Sequence, residues 1–464
     1  MLDVIKSIIT LAAYFVLGPM LGQAIAKSRK WQRIVFCFMM VMPCMHPGKI
    51  TLMIDSWPFY RGHTKGFESN WIEVLGIAII VASKINRGKL PGWRLMAPGT
   101  WLYLLYCISG MLSLYTSYDK IFCLMAMYKF TKAVIMFIAA YHYLRDEEDL
   151  RWVLRTIAGN QIFYALLCLK MRMLDGMFQI QGWFEHQNPM AMWVYMSGIP
   201  LIGVALDKRT SSGDFMLYMG GFGGAALCII MSVSRAGLGA LAIGALAVLL
   251  MAWLSAPSIR LVMVTAGGAL GAFVVSMVAM DSLNSRLEEV KESAENNEYT
   301  LRDILDMQYE AMLKDSAIGI GWNNFGIMNS RPVGLKYSEI LEEWDLSRGF
   351  ALVEENYYAN PLTESLYWLI LAETGYPAFV FYMLFNVATL WFTLRAAWRF
   401  RGTVWGSFAA AQLPTLVILY GHDKVERILT QTKNLSFWLL MVGLLAAMEV
   451  IGNERKKRRK QLRV

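Results

Sequence analysis

Apolar stretches of about 20 residues, separated by short charged turns, recur along this 464-residue chain. Wound as a helix, a stretch of that length crosses the hydrocarbon core of a bilayer, and a helix closes its own backbone hydrogen bonds where no water can. Such segments fall at 4–26, 31–46, 71–86, 98–115, 120–143, 150–169, 189–206, 215–233, 236–254, 259–280, 362–394, 403–421 and 435–452. Hydrophobic residues make up 56% of the chain against 17% charged, and mean hydropathy is +0.40, too little polar surface for a water-soluble fold. The expected fold class is all-α: a polytopic membrane helix bundle of about 12–13 spans with a partly helical extracytoplasmic loop subdomain.

Charge placement orients the spans. Lys27, Arg29, Lys30 and Arg33 follow the first; Lys84, Arg87, Lys89 and Arg94 follow the third; Arg145 and Arg151 follow the fifth. Lys208 and Arg209 follow the seventh, Arg260 opens the tenth, and Arg395, Arg399 and Arg401 follow the eleventh. These alternate loops share a side with the run Arg455 to Lys460, and the positive-inside rule makes that side cytoplasmic. The chain then divides into N-terminal spans (1–280), a large extracytoplasmic loop (281–361), C-terminal spans (362–452) and a basic cytoplasmic tail (453–464). Within the loop, Thr300 and Asp303 form a capping-box pattern, and Leu301, Ile304, Leu305, Met312 and Leu313 follow at helical spacing. Trp322, Phe325, Trp344, Phe350, Tyr357 and Tyr358 argue against disorder there.

The net charge of +9 favours a membrane over nucleic acid, because the densest basic run follows an apolar span and carries no aromatics. Cys37, Cys44, Cys107, Cys123, Cys168 and Cys228 form no CxxC pair, so small packing groups are expected in place of a zinc site or disulfides. Among His46, His63, His142, His186 and His422 there is no HExxH spacing, and no metal or other cofactor is expected. No Walker A loop is present. The first span lacks a basic leader and a small-residue cleavage site, and reads as retained.

Several motifs carry both a structural and a chemical reading. Arg235, in Ser234-Arg235-Ala236-Gly237, sits between two spans with almost no loop; it either snorkels to lipid phosphates or grips a phosphate bidentately. Gly319-Ile320-Gly321-Trp322-Asn323-Asn324-Phe325-Gly326 suits a tight turn allowing close backbone approach more than ligand contact. In Trp183-Phe184-Glu185-His186-Gln187-Asn188-Pro189, Asn188 is the expected helix cap and Pro189 the first-turn residue, while Glu185, His186 and Asn188 are candidate substrate contacts. Glu364 opens the eleventh span, where the helix dipole favours a carboxylate and a general base could sit. Lys129 and Lys132 lie on one face in mid-span, so they either contact substrate or pair inside the bundle, with pairing preferred.

The order of these elements resembles the O-antigen ligase/polymerase (Wzy/WaaL-like) family of bacterial surface-polysaccharide transferases. The resemblance rests on the Phe184-to-Asn188 turn, Ser234-Arg235-Ala236-Gly237, Arg302 ahead of Gly319-Ile320-Gly321-Trp322-Asn323-Asn324-Phe325, and Glu364-Ser365-Leu366-Tyr367 running to Glu373-Thr374-Gly375, over about residues 180–390. It implies glycosyl transfer outside the bacterial cytoplasmic membrane, from a glycan on an undecaprenyl-pyrophosphate-type lipid to a sugar hydroxyl, beside other polysaccharide-assembly proteins. Arg235 and Arg302 fall at the family's pyrophosphate-binding positions. Ligases of the family typically carry a histidine where this chain has Glu364-Ser365; a glutamate can accept a hydroxyl proton in its place. Two rival classes are a flippase or transporter of lipid-linked sugars, which calls for repeats and charges spread through the spans, and a non-catalytic component of a polysaccharide export complex.

Overall fold

The computed structural model describes residues 2–45, 51–58, 60, 62–89, 93–255, 257–269, 301–329, 337, 340 and 362–461. Helices occupy every position expected of a span: α1 Leu2–Ala26, α2 Arg29–Val41, α3 Trp71–Ile85, α4 Thr100–Leu114, α5 Lys120–Tyr143, α6 Glu147–Met173, α7 Gln187–Ala205, α8 Ser212–Ser232, α9 Arg235–Ser255 and α10 Ile259–Ala269. After them come α11 Leu301–Asp315, α12 Leu366–Arg399, α13 Val404–His422 and α14 Thr432–Gln461. The protein is an all-α polytopic membrane protein. Eight helices among the described residues are long and apolar enough to cross a bilayer, fewer than the thirteen segments read from sequence. α2, α3 and α4 are too short, α7 is long enough at 19 residues but less apolar, and α10 is described only to Ala269. At 1.5 Å per residue the 13-residue α2 rises about 20 Å, short of a hydrocarbon core of about 30 Å.

One feature lies outside the all-helical expectation. Thr51–Ile54 (β1) pairs antiparallel with Phe67–Asn70 (β2), with Thr51 opposite Asn70. Asn70 and Glu73 then form the capping box that starts α3. The Thr300 capping box, His46, Trp344, Phe350, Tyr357, Tyr358 and the 281 boundary lie outside the described residues.

Burial separates core helices from lipid-facing ones. In α14, 89% of the apolar window is buried, against 17% in α1, so α14 is the post around which α5, α7 and α12 pack. Gly443 makes this possible: a Cβ there would strike the Phe137 carbonyl oxygen of α5. Close backbone approach through small residues is the usual basis of helix association in lipid, where no hydrophobic drive acts between helices.

The span expected as one helix at 362–394 is broken. Gly375 adopts φ +70° and ψ −175°, dividing α12 after Thr374, with Pro377 just beyond. The backbone groups released at the break are taken up by the segment after α11: Ile320 N donates to Ala372 O (2.9 Å), Gly321 N to Glu373 O (3.1 Å), and Tyr376 N to Ala317 O (3.0 Å). The turn at 319–326 is thereby threaded into the bundle. Its Gly319 and Gly321 have φ of +85° and +111°, and Trp322 is fully buried, stacked on Phe130 with ring centroids 4.8 Å apart. The tight-turn reading of this motif matches the geometry.

The basic loops meet at one end. Arg29 and Arg33 bind Asp149, Arg145 donates to Ser83 Oγ (2.7 Å), Arg151 and Arg155 hold Asp214, and Ser407 donates to Asp207 (2.6 Å). Arg260 reaches Thr210 O (2.9 Å), and Arg399 pairs with Glu449 (2.9 Å). This is the basic end; the opposite one is called the rim.

Gly375→Ala is expected to destabilise by roughly 2–4 kcal/mol, because φ is positive and the added methyl collides with the Ala317 carbonyl. Thermal unfolding in detergent should show a lowered midpoint, while Gly421→Ala, which meets open space, leaves it nearly unchanged.

Candidate active site

At the rim, the start of α12 is fastened to the end of α13. Leu366 N donates to Asp423 O (2.8 Å) and Tyr367 OH to Tyr420 O (2.6 Å). Glu364 stands just before the N-cap Ser365, with its side chain half exposed. Arg302, in the first turn of α11, approaches it from above. Both Nε (2.9 Å) and Nη2 donate to Glu364 Oε2, and Nη2 also donates to Val425 O (3.2 Å). Glu364 Oε1 has no partner among the described residues. The two residues that the sequence assigns to different tasks, anion grip and base, are thus bonded to each other.

A second chain of bonds reaches the same turn from the other side. Asn188 Nδ2 donates to Glu426 Oε1 (2.8 Å), and its Oδ1 accepts from Ser234 Oγ (3.1 Å). Ser234 Oγ also accepts from Gly237 N (3.3 Å), capping the start of α9. Arg235 is therefore held at the first residue of α9, exposed and without a partner among the described residues. Arg302 reaches Val425, and Ser234, next to Arg235, reaches the adjacent Glu426 through Asn188, so both arginines lie at one end of the bundle.

The capping expectation at 186–189 is corrected. His186 is the N-cap of α7, its Nδ1 accepting from Asn188 N (3.3 Å), and α7 starts at Gln187. Asn188 lies inside the first turn, where its amide is free to bridge α9 and the α13 end. Glu185 and His186 are both exposed. Lys433, at the start of α14, anchors this loop by donating to Trp183 O and to Met45 O (3.0 Å), over the ring of Phe184.

Lys129 and Lys132 lie apart from the rim chain, in a buried network. Lys132 pairs with Glu73, which also accepts from Tyr14 OH; Lys129 donates to His63 O and stands 3.8 Å from Glu68. Each lysine has a carboxylate of its own, the internal pairing that buried charge demands.

Sequence reasoning missed the α13 end. His422 Nδ1 meets Tyr195 OH at 3.0 Å, and its Nε2 stands 4.0 Å from Glu426 Oε1. Asp423 is fully buried, accepts from Tyr382 OH (3.3 Å), and burial holds its carboxyl well above the ordinary carboxylate range. The signal was present as five ionisable residues in the stretch His422 to Arg427 directly after an apolar span. Among the described residues no cluster of three or more His, Cys, Asp or Glu has metal-binding geometry.

Residues 220–383 match the family model described as O-antigen ligase. That stretch, about a third of the chain, is similar to the O-antigen ligase family. The matched segment runs from α8 into α12 and contains Arg235, Arg302, the 319–326 turn, Glu364 and the break at Gly375. No curated protein matches the chain. The helices describe a multi-pass membrane protein, and the matched segment likens part of it to O-antigen ligases.

Asn188→Ala removes the amide that joins three helix ends and leaves Glu426 short of a donor. It should cost roughly 1–3 kcal/mol, read as a lower unfolding midpoint in detergent.

Proposed function

We propose that the protein transfers or polymerises an oligosaccharide, carried on undecaprenyl pyrophosphate, onto a hydroxyl of a glycan acceptor at the outer face of the bacterial cytoplasmic membrane. The rim faces outward and the C-terminus lies in the cytoplasm, in keeping with the basic residues gathered at the other end. The observation that carries this reading is that Arg235 and Arg302 lie at one end of the bundle, Arg235 exposed and Arg302 bonded, among the described residues, to groups a diphosphate can replace.

The chemistry follows from the donor. Its glycosyl C1–oxygen bond to phosphate breaks, and the electron pair stays on the departing diphosphate. Guanidinium groups pair with phosphate oxygens bidentately and stabilise charge that grows as the bond lengthens. No metal is required for that task. The acceptor oxygen bonds to C1 from the opposite face, inverting the anomeric centre, and its proton passes to a carboxylate. Glu364 takes this role through Oε1. Its other oxygen is covered by Arg302 until the diphosphate draws the guanidinium away, so the base is fully uncovered only when donor is present. Glu185, His186 and Asn188 line the approach for polar sugar groups. The internal pairing of Lys129 and Lys132 removes the feature that favoured a transporter.

Binding of undecaprenyl pyrophosphate to the purified protein tests the grip. Arg302→Ala and Arg235→Ala should each weaken it roughly tenfold, whereas Glu364→Gln should tighten it severalfold by removing the competitor for Arg302. Unchanged affinity in both arginine variants would remove the assignment.

In cells, Arg235→Ala and Glu364→Gln should insert normally yet lose surface polymer. Retained single-repeat glycans would mark a polymerase, and accumulated lipid-linked long chains a ligase. Normal polymer from both variants would sink the reading.

A further inference from the structure

A sizeable cavity lies far from the rim. It opens at the basic end with a volume of about 390 Å³, between the segment leading into α4, the end of α12 and the end of α14. Pro98, Phe392 and Val450 supply apolar wall; Arg94, Lys456, Glu449, Asn453 and Glu454 supply polar groups. Glu449, Asn453 and Lys456 recur at helical spacing and so share one face of α14.

The charges in this cavity are not equivalent. Glu449 is saturated: Oε1 meets Arg395 (3.3 Å) and Asn453 Nδ2 (3.1 Å), and Oε2 meets Arg399 (2.9 Å). Arg94 and Lys456 are both exposed and form no ion pair among the described residues. Arg395 lies over the ring of Trp391 (5.6 Å), and Arg455 over Phe400 (5.4 Å) and Trp405 (5.5 Å). Arg94 and Lys456 line the cavity with Glu449 and Glu454, and Arg395 and Arg399 behind them neutralise Glu449, so cations outnumber carboxylates four to two. Trp391 and Trp398 are exposed on the same helix end, 53% and 76%, as side chains at a bilayer surface are.

We propose that this cavity holds the headgroup of an anionic phospholipid. The phosphodiester sits between Arg94 and Lys456, and the first methylenes of its chains run along Phe392 and Val450 into the hydrocarbon. A lipid fits better than a free anion because the polar floor continues directly into apolar wall at the membrane surface. The site joins α14 to the α12 end and the chain before α4, so an occupant braces the basic end from outside the bundle. The inference is independent of the transfer chemistry at the rim.

The test is native mass spectrometry of the purified full-length protein in neutral detergent, titrated with phosphatidylglycerol and, separately, phosphatidylcholine. Phosphatidylglycerol should bind the wild type more tightly than phosphatidylcholine, and Arg94→Gln with Lys456→Gln should weaken its tightest site about tenfold or more. Removing the same charge from exposed Lys27 and Lys30, as glutamines, should change it less than about twofold. Equal binding of the two lipids overturns the proposal, as does an unchanged affinity in the Arg94/Lys456 variant. Displacement of phosphatidylglycerol by millimolar inorganic phosphate would assign the site to a free anion and equally overturn it.

Discussion

The carboxylate of Glu373 holds the two halves of this molecule together. It is fully buried on the last turn before the break in α12, and accepts from Asn323 N (2.9 Å) and Phe325 N (3.1 Å), with His63 Nε2 at 3.0 Å. Asn323 in turn takes His63 N (2.6 Å) on its side-chain oxygen and donates to Thr64 O (3.1 Å). One acidic side chain thus ties the segment after α11 to the broken helix and to the hairpin strap beside α5. A helix can be interrupted at membrane depth only if the freed backbone finds partners within the protein, and here it does. Without that docking α11 would have no fixed height over the rim, and Arg302 would not be delivered to Glu364 and Val425.

The rim is organised by ends of helices, not by their faces. α7, α9, α12 and α13 contribute terminal residues: the side chains of Asn188, Ser234 and Glu426 bond to one another, and the Leu366 backbone bonds to that of Asp423. Such ends carry unsatisfied backbone groups and concentrated partial charge, which makes them natural hosts for polar substrates beside lipid. The lysines inside the bundle serve a different purpose: Lys129 stands near Glu68 and Lys132 pairs with Glu73, so each is neutralised where it lies.

Much of this was legible in the residues. Thirteen apolar segments each correspond to a helix, because length and hydropathy are local properties, and the basic loops gather at one end as their alternation requires. What was not legible depends on partners far along the chain. Gly375 and Pro377 announced a break, yet membrane helices tolerate both residues, and the decisive factor was the 319–326 turn waiting to pair with the opened backbone. Asn188 was placed as a cap by proximity to Pro189; its bond to Glu426, 238 positions away, moved that task to His186. Arg302 and Glu364 were both singled out, but their mutual contact spans 62 positions and no local pattern encodes it. His422 and Glu426 were passed over because a charged turn after a span usually means only a loop.

The deep burial of α14 has a consequence for how the protein is made. The helix at the centre is the last of those described to leave the ribosome, whereas α1, which faces lipid along most of its length, is the first. Until α14 arrives, α5 and α12 stand with their inner faces unfilled, and Lys433 has yet to reach the carbonyls of Met45 and Trp183. Assembly must therefore proceed from the outside inward, with the earlier helices parked in the bilayer as a loose ring that tightens only when its axle is inserted.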